Sequence, residues 1–170
     1  MNIREELLKE HSKQQALKIA NYACSSPKYF KELMNCFIDN EYRIAQRAAW
    51  SVSWASQKQP ELVKPYIKIL VAQLNRKNIH NSVIRNSLRI LQKINIPQKF
   101  HGEVMNSCFN FIQQPATPVA FKSFSLKILG NFAKIYPEIK NELKVIIEER
   151  WGTETAGFKA KAKHILKQIN

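Results

Sequence analysis

Residues 43 to 56, RIAQRAAWSVSWAS, hold two arginines and two tryptophans. On a helix of 3.6 residues per turn, Arg43, Arg47, Trp50 and Trp54 stand at i, i+4, i+7 and i+11, within a sector of roughly 60°. Two chemistries suit that pattern. The cations can hold phosphates or carboxylates while an indole offers a flat stacking surface. Alternatively they can pair with Glu41 or lie over the rings, so that the charges are satisfied inside the protein.

Groups suited to catalysis are scarce. Asp39 is the sole aspartate, and Glu138, Glu142, Lys140 and Lys144 read as a solvated face. Glu148 and Glu149 are adjacent, which on a helix directs them about 100° apart and away from a common substrate. His11, His80, His101 and His164 show neither i, i+4 pairing nor an H-E-x-x-H pattern. Each is expected at an exposed helix or loop position, and neither metal nor cofactor is expected. Cys24, Cys36 and Cys108 are odd in number with no C-x-x-C arrangement, so they read as buried reduced thiols. There is no glycine-rich phosphate loop, and Gly152 and Gly157 flank a turn, WGTETAG. The sequence therefore predicts that the protein is no enzyme.

Charge is the unusual property: 27 basic residues against 13 acidic ones leave +14 over 170 residues. Such a field favours an acidic partner, although lysines scattered over solvated faces would also produce it. A hydrophobic content of 45% suits one globular domain over residues 1–170. The segment MNIREELLKEH is charged from Arg4, and the longest apolar runs, such as VII at 145 to 147, are too short for a bilayer. A cytoplasmic monomer with no membrane contact is the expectation.

The elements that must position these residues repeat. AQRAAWSVSWAS at 45 aligns without gaps with VIRNSLRILQKI at 83, FKSFSLKILGNF at 121 and FKAKAKHILKQI at 158, in steps of 38, 38 and 37 residues. Three columns show the logic. One reads Val52, Ile90, Ile128, Ile165; another Ala49, Ser87, Ser125, Ala162; a third Ala45, Val83, Phe121, Phe158. The small column is where neighbouring helices should approach most closely. Between the copies lie helices announced by Pro27, Pro60, Pro97 and Pro137, which suit a first turn, whereas Pro65 should bend its helix. Short connectors such as QKQ and NI force antiparallel pairs, and stacked pairs make a solenoid.

A proline-led first helix followed by a second helix of the type A-Q-R-A-A-W or V-I-R-N-S-L resembles the HEAT family of armadillo-like repeats, over residues 12 to 169. The resemblance implies an all-α, right-handed α-α superhelix of about nine helices, a non-enzymatic scaffold that binds a macromolecular partner. The family carries an arginine directly after the valine-like position; here Gln46 and Ile84 stand there, and Arg47 and Arg85 come one later. The blocks QRAAW, PELVKPY, FSLKIL and AGFKAKAKHIL also resemble short HEAT-like proteins sometimes labelled adenylosuccinate lyase. No segment resembles the S-S-x-M-P-x-K-x-N-P loop of that lyase family.

In such a solenoid the second helices line the concave side. The rows there would be Arg47 and Arg85; Ser51, Arg89, Lys127 and His164; and Trp54, Gln92, Gly130 and Lys167. Trp50 shares its column with Leu88, Leu126 and Lys163, which reads as packing between second helices. Trp54 is equally suited to core or surface. The binding candidates are thus Arg43, Arg47, Trp54, Arg85, Arg89 and Lys127, with a protein as the leading partner. Nucleic acid bound without sequence preference is the alternative, because HEAT-like alkylpurine DNA glycosylases resemble this chain in fold and charge. Their catalytic carboxylate has no counterpart, since Trp54 occupies the position one turn beyond Trp50.

Overall fold

In the computed structural model, which describes residues 1–170, the chain is helical throughout, with ten α-helices, two 3-10 segments and no strand. Its contacts cluster into two units, Met1–Ile94 and Asn95–Asn170. The first holds α1 (Ile3–Lys9), α2 (Lys13–Ala23), α3 (Pro27–Phe37), α4 (Tyr42–Lys58), a 3-10 stretch Pro60–Tyr66, α5 (Ile67–Leu74) and α6 (Asn81–Leu91). The second holds a 3-10 turn Gln98–Phe100, α7 (His101–Gln113), α8 (Val119–Phe132), α9 (Ile139–Trp151) and α10 (Ala156–Ile169). No helix is long and apolar enough to cross a membrane.

Helix boundaries follow local chemistry. Ser12 accepts from Gln15 N, Ser26 from Lys28 N and Thr155 from Phe158 N, so small hydroxyl residues satisfy the orphan donors that open α2, α3 and α10. Pro27 opens α3 and Pro60 opens the first 3-10 stretch, while Pro97 and Pro137 stand just ahead of their helices. Pro65 does not bend an α-helix. The chain stays 3-10 through Tyr66 and α5 starts at Ile67, since Pro65 has no N–H to give a carbonyl four residues back.

The tenth helix, beyond the nine expected, is α1. Its seven residues pack because Glu6 is held by Lys9, by Lys18 (2.8 Å) and by the Gln15 amide (2.9 Å). Hydrogen bonds from Lys18, then Lys9 and Gln15, hold the Glu6 carboxyl at about 2.

The repeat columns are the core. Val52, Ile90, Ile128 and Ile165 are at most 2% exposed, and Ala49, Ser87, Ser125 and Ala162 are fully buried. In the first unit α4 packs on α1, α2, α3 and α6; in the second, α8 packs on α7 and α10. Gly130 shows how close that last approach is, because a Cβ there would sit 3.0 Å from both Cδ1 and Cγ2 of Ile165. Gly130 is buried, so it is no part of an exposed row with Trp54 and Gln92.

Candidate functional site

Charge is sorted by helix. α2, α4, α6, α8 and α10 contain no Asp or Glu, whereas α1, α3, α7 and α9 do. In the first unit this sorting produces a groove. α4 offers Trp50, Trp54 and Gln57, α6 and its end offer Arg89, Gln92 and Lys93, and the start of α2 adds Lys13, around a depression of about 430 Å³. Trp50 also walls a smaller hollow of about 170 Å³ with His11, Gln46, Ser82 and Arg85. No carboxylate lines either depression.

Both indoles are half-buried. The His11 ring lies 5.5 Å from that of Trp50, centroid to centroid, and the Lys13 ammonium stands 5.6 Å above the Trp54 ring. Lys93 donates to Gln57 Oε1 at 3.1 Å. The Trp54 Nε1–H is buried and has no acceptor. Lys, Arg and Trp side chains donate hydrogen bonds and accept none, so a groove made chiefly of them fits an acceptor-rich ligand. Basic groups around the two depressions also act on one another. Burial, and then the neighbouring Arg85, lower the Arg89 pKa; burial, and then Arg85 and His11, lower that of His80.

The sequence candidates separate on this frame. Trp54 and Arg89 share the larger depression, and Arg85 lies in the adjoining hollow. Arg47 is turned elsewhere: its Nη1 donates to the carbonyl of Leu7 at 2.7 Å, closing the end of α1. Arg43 is exposed and lines neither depression. Lys127 is half-buried on α8 of the second unit. Asp39 bonds Arg4 and the Glu41 amide, not Arg47 or Arg85. Sequence reasoning did not select Lys13, Gln57 or Lys93 for the site. The absence of acids from every second helix was the signal that could have found them.

Other reactive groups are built into the frame. His101 is buried rather than exposed, its Nε2 2.7 Å from the Ile96 carbonyl and its Nδ1 2.8 Å from the Tyr136 hydroxyl. His80 caps α6 through Nδ1, which accepts from Ser82 N at 3.1 Å. The three cysteines are free and buried, and burial pushes Cys36 up to about 11 and Cys108 up to about 12. No group of three or more His, Cys, Asp or Glu side chains converges as a metal site would require.

No curated protein and no solved structure matches the chain. A profile of the HEAT repeat domain, however, matches residues 3–169, which takes in every pair of helices described above. Paired helices whose small and large columns recur in the core are what such a repeat requires, and the chain belongs to the HEAT repeat family.

Proposed function

We propose that the protein is a non-enzymatic HEAT-repeat scaffold that binds an acidic segment of a partner protein in the groove between α4 and α6. The observation that carries this reading is the lining itself. Lys13, Arg89 and Lys93 surround two half-buried indoles with no carboxylate among them. A solvated lysine surface has no need of indoles, and a self-satisfied one would contain acids. Partly buried aromatic and arginine side chains are the usual anchors of protein interfaces.

A second reading, nucleic acid held by its phosphates, has one observation in its favour: a base could stack on Trp50 or Trp54 beside those cations. Tryptophan emission separates the two. In a Trp151→Phe background, only Trp50 and Trp54 emit, and both lie in the groove. Poly-L-glutamate at about 50 mM salt is expected to change that emission saturably, with affinity falling as salt rises. Binding of a single-stranded oligonucleotide tenfold tighter than the polypeptide would install the second reading. No response to either polymer would end both.

A further inference from the structure

A second cavity, of about 260 Å³, lies beside the groove and shares Gln57, Arg89 and Lys93 with it. The rest of its wall differs in character: Pro60, Ile90 and Ile94 are apolar, and Ser53 and Ser56 bring hydroxyls. Its volume has room for about nine water-sized groups.

The wall specifies the occupant by what it offers and what it lacks. Arg89 and Lys93 donate and cannot accept, Lys93 gives one of its bonds to Gln57 Oε1, and no carboxylate lines the cavity. Ser53 is 1% exposed and its hydroxyl makes no hydrogen bond, whereas the neighbouring Ser56 hydroxyl donates to the Ser53 carbonyl at 2.9 Å. A buried hydroxyl without a partner is costly enough that an acceptor brought next to it binds better than to an apolar wall. Beside these polar groups, the proline and two isoleucines offer nothing to a sugar or a phosphate. An anion and a branched aliphatic group must therefore arrive within a few bonds of each other. The terminal residue of a polypeptide meets that condition, since its α-carboxylate and side chain leave the same carbon.

We propose that this cavity receives an aliphatic C-terminal residue of the partner protein, its carboxylate against Arg89 and Lys93 and its side chain against Pro60, Ile90 and Ile94. An internal Asp or Glu fills the polar edge and leaves the aliphatic wall bare. Inorganic phosphate does the same. The assignment rests on the protein-binding reading of the groove and adds the chemistry by which the partner's end is recognised.

The test is a nitrogen-15 amide titration of the full chain with an acetylated peptide ending in leucine as the free acid. The same peptide with a C-terminal amide, one with an internal glutamate, and inorganic phosphate are run beside it. Saturable shifts at Ser53, Arg89, Lys93 and Ile94 are expected with the free acid, about tenfold weaker on amidation. Arg89→Gln should abolish the preference for the free acid, and Lys93→Gln, at an exposed position, should halve or further reduce it if Arg89→Gln does not fold. Equal binding of the amide, the internal glutamate or phosphate, or no saturable shift, overturns the proposal. The Trp54 indole N–H signal reports the groove separately. Failure of the free acid while poly-L-glutamate still moves that signal counts against the cavity alone, and silence of the indole counts against the groove.

Discussion

Two clusters of basic side chains in this molecule look alike in the sequence and are opposite in their surroundings. In the second unit Lys122 is buried and paired with Glu154, while also donating to the Pro115 carbonyl at 3.2 Å. Arg150 reaches the same Glu154 oxygen through Nη2 at 2.9 Å and Nε at 3.2 Å. Burial would raise the Glu154 pKa, but the hydrogen bonds from Lys122 and Arg150 outweigh it and leave the carboxyl below its ordinary value. These cations are consumed in fixing the Trp151–Thr155 turn against α8. In the first unit Lys13, Arg89 and Lys93 face a depression that contains indoles and amides but no carboxylate. A positive charge points to an external ligand when the fold withholds an acid from it, and a net charge of +14 cannot make that distinction.

If this contrast is sound, removing the acid should be ruinous in one unit and cations should be dispensable to folding in the other. Glu154→Ala leaves the Lys122 ammonium buried without its partner and should lower the unfolding free energy by about 3–5 kcal/mol, read by denaturant titration. An unchanged midpoint would erase the contrast. A smaller loss, about 1–3 kcal/mol, is expected for Gly130→Val, whose side chain has no space against Ile165. Arg47→Gln should cost about 1 kcal/mol, because the Leu7 carbonyl loses its donor, and should leave groove binding unchanged. A weakened response to poly-L-glutamate in that variant would move Arg47 back among the ligand-binding residues.

The smallest expected effect is a pH dependence. The Glu6 pKa is lowered from its ordinary 4.5 to about 2, so the folded state prefers the ionised form. The stability this contributes is present above pH 4.5 and is lost as the pH falls toward 2. Glu6→Gln should flatten the pH profile of unfolding within that window. A profile of equal slope in both proteins would show that α1 is held by other contacts.

Much of the helical framework is legible before any coordinates. The column of Ala49, Ser87, Ser125 and Ala162 marks the tightest packing because a repeat leaves the same environment at each copy, and all four are fully buried. The departures share a cause: each depends on a partner far away in the chain. Lys122 follows Phe121 in a surface-like pattern, and only Glu154, brought in by the turn before α10, explains its burial. Arg47 stands on the same helical sector as the tryptophans, yet α1 intercepts it, and a helix of seven residues gives little periodicity to recognise. Trp50 is half-buried, which agrees with its reading as a packing contact between second helices, and it also walls both depressions. Lys13 and Lys93 belong to no repeated column with Trp54; the packing of α2 and α6 on α4 puts them there.

The central claim is that position, not total charge, makes the groove a binding site. Lys13→Glu with Lys93→Glu reverses two exposed cations in the groove, and Lys163→Glu with Lys167→Glu reverses two exposed cations on α10. Both double variants change the net charge equally, so their affinities for poly-L-glutamate can be compared directly in the Trp151→Phe background. The groove pair should weaken binding by at least about tenfold while the α10 pair stays within about threefold of the parent. Equal weakening by the two pairs would contradict the account, leaving only a diffuse attraction of a basic protein for an acidic polymer.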